Sequence, residues 1–476
     1  MRTFYKRILL FLLMLLTNQF VWAQGTTTAA MNGVVQDQSG APLPGATVIA
    51  LHTPTNTQYV AGTNAEGRYN IQNMRVGGPY TVRTSYVGYQ EQRFDNINLA
   101  LGQNFRLDLT LSESTTTLGE VMVTAVQDKI INSDRTGAAT NVSSEQIESL
   151  PTISRSLNDF TRITPQASTS GSGISFAGQN NRFNNFSIDG TVNNDVFGLS
   201  PSGTNGGQTG VQPISLDAIE AIQVVIAPFD VRQSGFTGGG INAITRSGSN
   251  KFTGSAYYFG NNEGLVGKSP DDARTRLPDF TDYQTGLRIG GPIIKDKLFF
   301  FVNGEKTKRV APLLFEPGTS SSNITVDEAN RVLAVANRLG YDPGSFRSIE
   351  DETLSDKIFA RLDWNITDNH QLTLRHSYVY GENRDNSRTP NALRFANNAE
   401  YFPSTTNSSV LQLRSQFGGQ YANEALIGFT AVRDDRDIIG EPFPSVLIRL
   451  AGGRTIALGS EPFSVQNQLD QDVLTI

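Results

Sequence analysis

Three histidines, His52, His370 and His376, and no cysteine are the soft ligands available to this 476-residue chain. A mononuclear zinc site takes His, Cys or carboxylate ligands in close spacing, and none of the three lies in an H-E-x-x-H or H-x-x-E frame. His370 and His376 are an even number of residues apart in a strand-like run, so they share a face, one that also carries Leu372, Leu374, Tyr378 and Tyr380. They read as ordinary surface histidines. We expect no metal, no cofactor and no catalytic residue, and hence no enzyme. The absence of cysteine also removes any disulfide scaffold, so stability must come from buried area and strand pairing.

The chemistry the chain does offer is that of its main chain. Residues 118–125, LGEVMVTA, follow the spacer LSESTTT and precede a long Gly/Asn-rich stretch. An extended peptide with β-branched residues and no proline can add as a strand to an exposed sheet edge, with main-chain hydrogen bonds for grip and side chains for register. Taken alone, the octapeptide reads equally as a strand of the next domain or as an inert linker.

The elements that would position such a segment lie outside the cytoplasm. Residues 1–23 have Arg2, Lys6 and Arg7, then an apolar run from Ile8 to Leu16, then Val21 and Ala23 before a cut, the pattern of a secretory signal peptide. That run is shorter than the ~20 residues a spanning helix needs, and no later segment approaches this length. Forty-five glycines, 27 phenylalanines and 14 tyrosines point to a mainly β chain, and its length to more than one domain. The net charge of -6, with no Lys/Arg cluster after the signal, leaves no electrostatic footprint for nucleic acid.

From 29 to 112, turn signals punctuate short β-rich runs about every ten residues, which predicts a small β-sandwich, with Gly40, Gly45, Gly67, Gly78 and Gly88 at the turns. Residues 131–247 mix a capped helix start in SSEQIESLP, around Ser144 and Ile147, with strand-like FSIDGTVNND, LDAIEAIQVVIAPFD and TGGGINAITRSGSN, an α+β pattern. By themselves Gly238, Gly239 and Gly240 read as a bulge, and Asp189-Gly190 as a turn.

Residues 248–476 alternate in a different way. In DYQTGLRIGG, Tyr283, Thr285, Leu287 and Ile289 face one way and Asp282, Gln284, Gly286 and Arg288 the other. In DKIFARLDWNI, Ile358, Ala360, Leu362, Trp364 and Ile366 alternate with Lys357, Phe359, Arg361, Asp363 and Asn365. Short turns (PIIKDK, TDNH, QYAN) alternate strictly with long connections. A soluble sandwich has no reason to keep that order, whereas a membrane barrel has short periplasmic turns and long outer loops, and strands of about 9–11 residues span the bilayer. Tyr257, Phe259, Tyr283, Tyr378 and Tyr380 suit aromatic girdles. One long loop carries TVDEANRVLAVANRLG, a helix with a Thr325/Glu328 capping box, an apolar face of Val332, Val335, Ala336 and Leu339, and Gly340 at its end.

Two resemblances bear on these segments. Through SGAPLPGATV, EGRYNI and SYVGY, residues 29–112 resemble the carboxypeptidase regulatory-like domain, a transthyretin-like sandwich. The order LP…R…DFTRITPQ, SIDG, AIEAIQVV and FTGGGINAITRSGSNKFTGSAYYF resembles the plug of TonB-dependent outer-membrane receptors running into their first barrel strand, and GGPIIKDKLFFFVNGE is similar to the Oar-like subgroup. The resemblance implies a plug over 131–247, the first part of a transmembrane β-barrel over 248–476, and a linker over 113–130 with the TonB box at Glu120, Val121, Met122, Val123 and Thr124. Met122 departs from the usual branched aliphatic. The implied partners are TonB with its inner-membrane energising complex, outer-membrane lipid and an extracellular substrate of unknown identity. Fewer strands are legible than the family's barrel requires, so a chain truncated within the barrel is expected.

The implied function is energised transport through a plugged barrel of the outer membrane, with sandwich and TonB box in the periplasm. The alternative is an outer-membrane-anchored adhesion or surface-assembly protein that uses the sandwich for binding. A secreted peptidase accessory chain would leave the loop alternation unexplained.

Overall fold

The computed structural model describes residues 26–114, 121–124 and 138 (these five main chain only), 139–152, 155–168, 173–227, 233, 235–270, 274, 276–417, 421–465 and 467–476. The signal-peptide residues and Glu120 lie outside these. Among the described residues no helix is long and apolar enough to cross a membrane.

The first unit is a two-sheet sandwich. One sheet sets Ala29–Asp37 between Arg68–Met74, antiparallel, and the short strands Asn104–Arg106 and Leu109–Leu111, parallel. The other runs Thr57–Gly62, Thr47–His52, Gly77–Ser85, Gln92–Leu99 and, at its edge, Val121–Thr124. Alternate residues of Thr47–His52 and Thr57–Gly62 are buried, and Met31, Val35, Val48, Ala50, Tyr80 and Leu109 are fully enclosed between the sheets. Each large apolar side chain so buried contributes about 1.5–3 kcal/mol, which replaces the absent disulfides. Gly67 is a turn residue that the backbone demands: its φ is +71°, and a Cβ there would stand 2.5 Å from the Val35 carbonyl oxygen.

The central unit is a five-stranded sheet ordered Ala138–Ser143, Ile219–Ile226, Gly240–Thr245, Asn185–Ile188 and Thr191–Val192. Its helix Ser144–Ser149 is capped by Ser143, one residue before Ser144, in a box with Gln146, and it buries Ile147. Strand entry at the triple glycine is tight, since a Cβ on Gly239 would lie 2.4 Å from the fully buried ring of Phe176.

The third unit is an eight-stranded antiparallel sheet in sequence order: Thr253–Asn262, Thr281–Ile294, Leu298–Pro312, Glu350–Thr367, His370–Asp385, Glu400–Phe417, Tyr421–Arg436 and Asn467–Thr475. Intervals 295–297, 368–369 and 418–420 separate strands at one end, and 263–280, 313–349, 386–399 and 437–466 at the other, so short and long connections do alternate. The faces are as the alternation predicts: Ile358, Leu362, Trp364 and Ile366 are exposed, while Lys357, Phe359, Arg361, Asp363 and Asn365 are buried on the inward face.

Two features differ from expectation. Strands reach 18 residues, beyond a bilayer's thickness, because they continue past the apolar belt toward the long-loop end, where an exposed Lys306–Asp356 pair and a half-buried Lys308–Glu352 pair take over the outward face. Tyr257 and Phe259 face inward, not into a girdle. The outward ring is Tyr258, stacked on Tyr283 at 6.1 Å, while the Tyr257 phenol occupies space that only Gly286 leaves open, 2.4 Å from where a Cβ would be.

The long connections fold together. Helix Val326–Arg338, with the Thr325/Glu328 box, packs Ala329, Val332, Leu333 and Ala336 against Leu393, Phe395, Ile456 and Leu458 of the long connections 386–399 and 437–466. Val335 and Leu339, expected on the apolar face, are exposed, because the packing face is centred on Ala329 and Ala336.

Candidate functional site

The inward faces of the wall and the central unit meet in a buried ionic seam. Asp189, in the SIDG turn, has φ +45° and is followed by Gly190 at +80°. The strand leading into it runs parallel to Gly240–Thr245, with Ile188 opposite Ala243. That register lets the Thr245 N–H and hydroxyl donate to the two Asp189 oxygens at 2.8 and 2.7 Å. The turn is thus tied to its neighbour before it meets the wall.

From the wall, Arg375 places Nε 2.9 Å from Asp189 Oδ2, and its Nη2 donates to the Ile188 carbonyl and the Thr191 hydroxyl, each at 2.6 Å. Arg361 lies one strand away; its Nη1 donates to the Thr245 carbonyl and hydroxyl, both at 2.9 Å. Its Nε and Nη2 grip Asp363 with two 2.8 Å hydrogen bonds, an i, i+2 pair that a strand places on one face. Thr373 on the adjacent strand donates to the same carboxylate at 2.8 Å.

A second contact lies nearer the long-loop end. Glu305 receives Lys357 Nζ at 2.8 Å, the Tyr257 phenol at 2.7 Å and the central unit's Ser215 hydroxyl at 2.8 Å. A third is at the rim, where Glu148 accepts from Arg246 and from wall residue Arg288 at 2.8 and 3.0 Å. Arg155 pairs with Asp217 at 2.7 Å and lies 3.9 Å from the Phe259 ring centre. Apolar contact is limited to a few residues, chiefly Phe301 and Phe359, which enter the central unit's core.

Every carboxylate in this seam is already paired, so none is poised for acid–base work. The arrangement suits a fitted, separable body. Buried ion pairs hold a unique placement while their desolvation cost offsets much of their attraction, so the seat is specific without being deeply stable.

The histidines hold no shared site. His370 and His376 face outward on one strand, bonded to Ser415 and Ser409, and six residues of strand separate them by about 20 Å. His52 is enclosed in the sandwich, its Nδ1 2.6 Å from the Thr55 hydroxyl and its ring 5.0 Å from Tyr80. Burial, helped by the nearby Arg75 charge, pushes its imidazole down to about 3. Among the described residues no three His, Asp or Glu side chains group as metal ligands.

Of the octapeptide, Val121–Thr124 forms a strand parallel to Gln92–Asp95 at the edge of the second sandwich sheet. Its far side has no described neighbour strand.

Comparison with known proteins shows what the chain is similar to. Residues 30–112 match the carboxypeptidase regulatory-like domain and residues 244–326 an outer membrane beta barrel domain. The TonB-dependent transporter Oar of Myxococcus xanthus is 25% identical over 383 residues, 75% of this chain and 34% of that protein. A TonB-dependent receptor of Formosa agariphila is 30% identical over 141 residues, 30% of this chain and 12% of the relative.

The chain is similar to TonB-dependent transporters and receptors.

The match to an outer membrane beta barrel domain agrees with the expected outer-membrane location. Among solved structures, the outer membrane transporter YddB from Escherichia coli is similar at 15% identity and a TM-score of 0.48, over 68% of this chain and 43% of that one. The chain spans about a third of the first curated relative's length.

Sequence reasoning did not single out this seam, although its signal was present. Lys357, Arg361, Asp363 and Asn365 occupy one face of a strand whose other face is apolar. A row of charges there needs partners inside the wall, and the SIDG aspartate is one of them.

Proposed function

We propose that this receptor carries out TonB-energised transport through the wall, with residues 131–247 as the plug, 248–476 as barrel, 113–130 as the linker and 29–112 as a periplasmic sandwich. The observation that carries the reading is the Asp189–Arg375 contact inside a shell of paired charges, which seats the central unit against the wall. Ion pairs can be separated and reformed far more readily than an apolar core can be opened, as a plug that moves during each transport event requires. The outer membrane has no nucleotide supply, so the work must be delivered mechanically from the inner membrane.

Glu120, Val121, Met122, Val123 and Thr124 are the handle. The edge position of Val121–Thr124 supports this, because an edge strand offers main-chain donors and acceptors to an incoming strand of TonB. Residues 1–23 direct export and are removed after about Ala23, and the short-turn end of the wall faces the periplasm.

Val123→Pro tests the reading by deleting one main-chain donor from the handle. Uptake of the native substrate in whole cells is expected to fail while the protein's level in the outer membrane is unchanged. Normal uptake in this variant would refute the TonB-box assignment, and a defect confined to surface attachment would favour an adhesion protein.

A further inference from the structure

The sandwich is not a pendant domain; it is seated on the short-turn end of the wall. Asn365 Nδ2 donates to the Thr57 hydroxyl at 3.1 Å, Gln416 Nε2 to the Gln72 carbonyl at 2.9 Å, and the Asn250 N–H to the Pro54 carbonyl at 2.8 Å. Asn73 Nδ2 reaches the Asn423 carbonyl at 3.2 Å. Residues Thr26 to Thr28, at the sandwich's start, are buried: Thr27 bonds Gln412 and Glu424 of the wall, and the Thr26 carbonyl accepts from Asn242 of the central unit.

One cation passes from the sandwich into the seam. Arg75, 6% exposed, places Nη2 3.4 Å from Asp363 and Nη1 3.2 Å from the hydroxyl of Ser247, at the end of the central unit. Its own main chain is held in the sandwich core, with the Arg75 carbonyl accepting from the Tyr80 phenol at 2.8 Å. Asp363 is the carboxylate that Arg361 grips while bonding Thr245. Sandwich, wall and central unit therefore share one ionic network.

We propose that the sandwich is a second closure of the barrel, seated across its short-turn mouth and latched by Arg75, which must unseat before a substrate can leave. The proposal rests on the transport reading for its direction, but the closure itself is a contact that can be tested without TonB. The handle strand Val121–Thr124 lies on the same sandwich sheet as Gln92–Asp95, so a pull on it loads the closure as well as the plug.

These 476 residues contain no cysteine, so Ser247→Cys, in a background where any cysteine outside them is replaced by serine, supplies a single reporter in the latch. In purified outer membranes of the full protein, permeabilised so that reagent reaches both faces, maleimide labelling of this cysteine is expected to be slow. Adding Arg75→Gln should speed it about tenfold or more, the effect of losing a charge-assisted hydrogen bond on an opening equilibrium. Asn365→Ala with Gln416→Ala, which loosens the seat from the wall side, should give a smaller rise and guards against misfolding of the Arg75 variant. Equal labelling rates in all backgrounds, or fast labelling in the parent, would overturn the closure. Binding of TonB's periplasmic domain to a synthetic 118–125 peptide is measured in parallel: its failure would sink the handle but leave the closure standing.

Discussion

Asp189 and Arg375 stand 2.9 Å apart across the boundary between the central unit and the wall, and both are almost wholly enclosed. Neither can lose its partner without leaving a charge buried. Asp189→Asn should therefore loosen the seat by about 3–5 kcal/mol, the usual cost of breaking one side of a buried pair. The check is entry of large antibiotics that an intact outer membrane excludes, and sensitivity unchanged from the parent would contradict the role given to the pair.

Lys357 and Glu305 make a second such pair, 2.8 Å apart and both under one-tenth exposed. Lys357→Met alone is expected to destabilise the protein by about 3–5 kcal/mol, whereas Lys357→Met with Glu305→Leu should recover most of the loss. Urea unfolding of the four members of the cycle measures this. Additive losses in the double variant would show that the pair is not coupled.

The outward face should be intolerant of charge in proportion to depth. Leu362→Arg, on the exposed apolar belt, is expected to cost about 2–4 kcal/mol near the bilayer midplane. Glu352→Arg, on the rim that already carries ion pairs, should cost little. Amounts of heat-modifiable protein in the outer membrane distinguish them, and equal yields would place the belt elsewhere.

His52 makes the sandwich sensitive to acid. Its folded pKa is held at about 3 by burial against an unfolded 6.5, so between those values the unfolded chain binds the extra proton. Stability is then complete above about pH 6.5 and falls as pH drops, by at most about 1.4 kcal/mol per unit. Asp95, whose carboxyl is lowered by the Thr81 hydroxyl, adds to the loss at lower pH. His52→Gln should flatten the dependence between pH 6 and 4 in the denaturant midpoint of the sandwich, and an unchanged slope would exonerate the histidine.

Much of this fold was legible because membrane and sandwich strands obey local rules. A period of two in Ile358 to Ile366 needs only the polarity contrast between lipid and lumen, and the alternation of short and long connections needs only an assembly direction. The direction of Tyr257 was not legible. Either face of the first wall strand carries aromatics, and Gly286, which makes room for its phenol, is on another strand. The capped helix in the long loop was found, but its packing face was misjudged by a fraction of a turn, since Val335 and Leu339 border the stripe that the neighbouring loops cover.

What the sequence alone determined was the order of units, the two faces of each wall strand and the presence of a strand-prone segment between the sandwich and the central unit. All are properties of a residue and its near neighbours. Tertiary structure decided which charges meet. Arg75, Asp189, Asp363 and Arg375 come from three units that are hundreds of residues apart at the extreme. A charge on a lumen-facing strand declares only that it must be paired, and the partner is chosen by how the wall curves around the central unit and where the sandwich comes to rest.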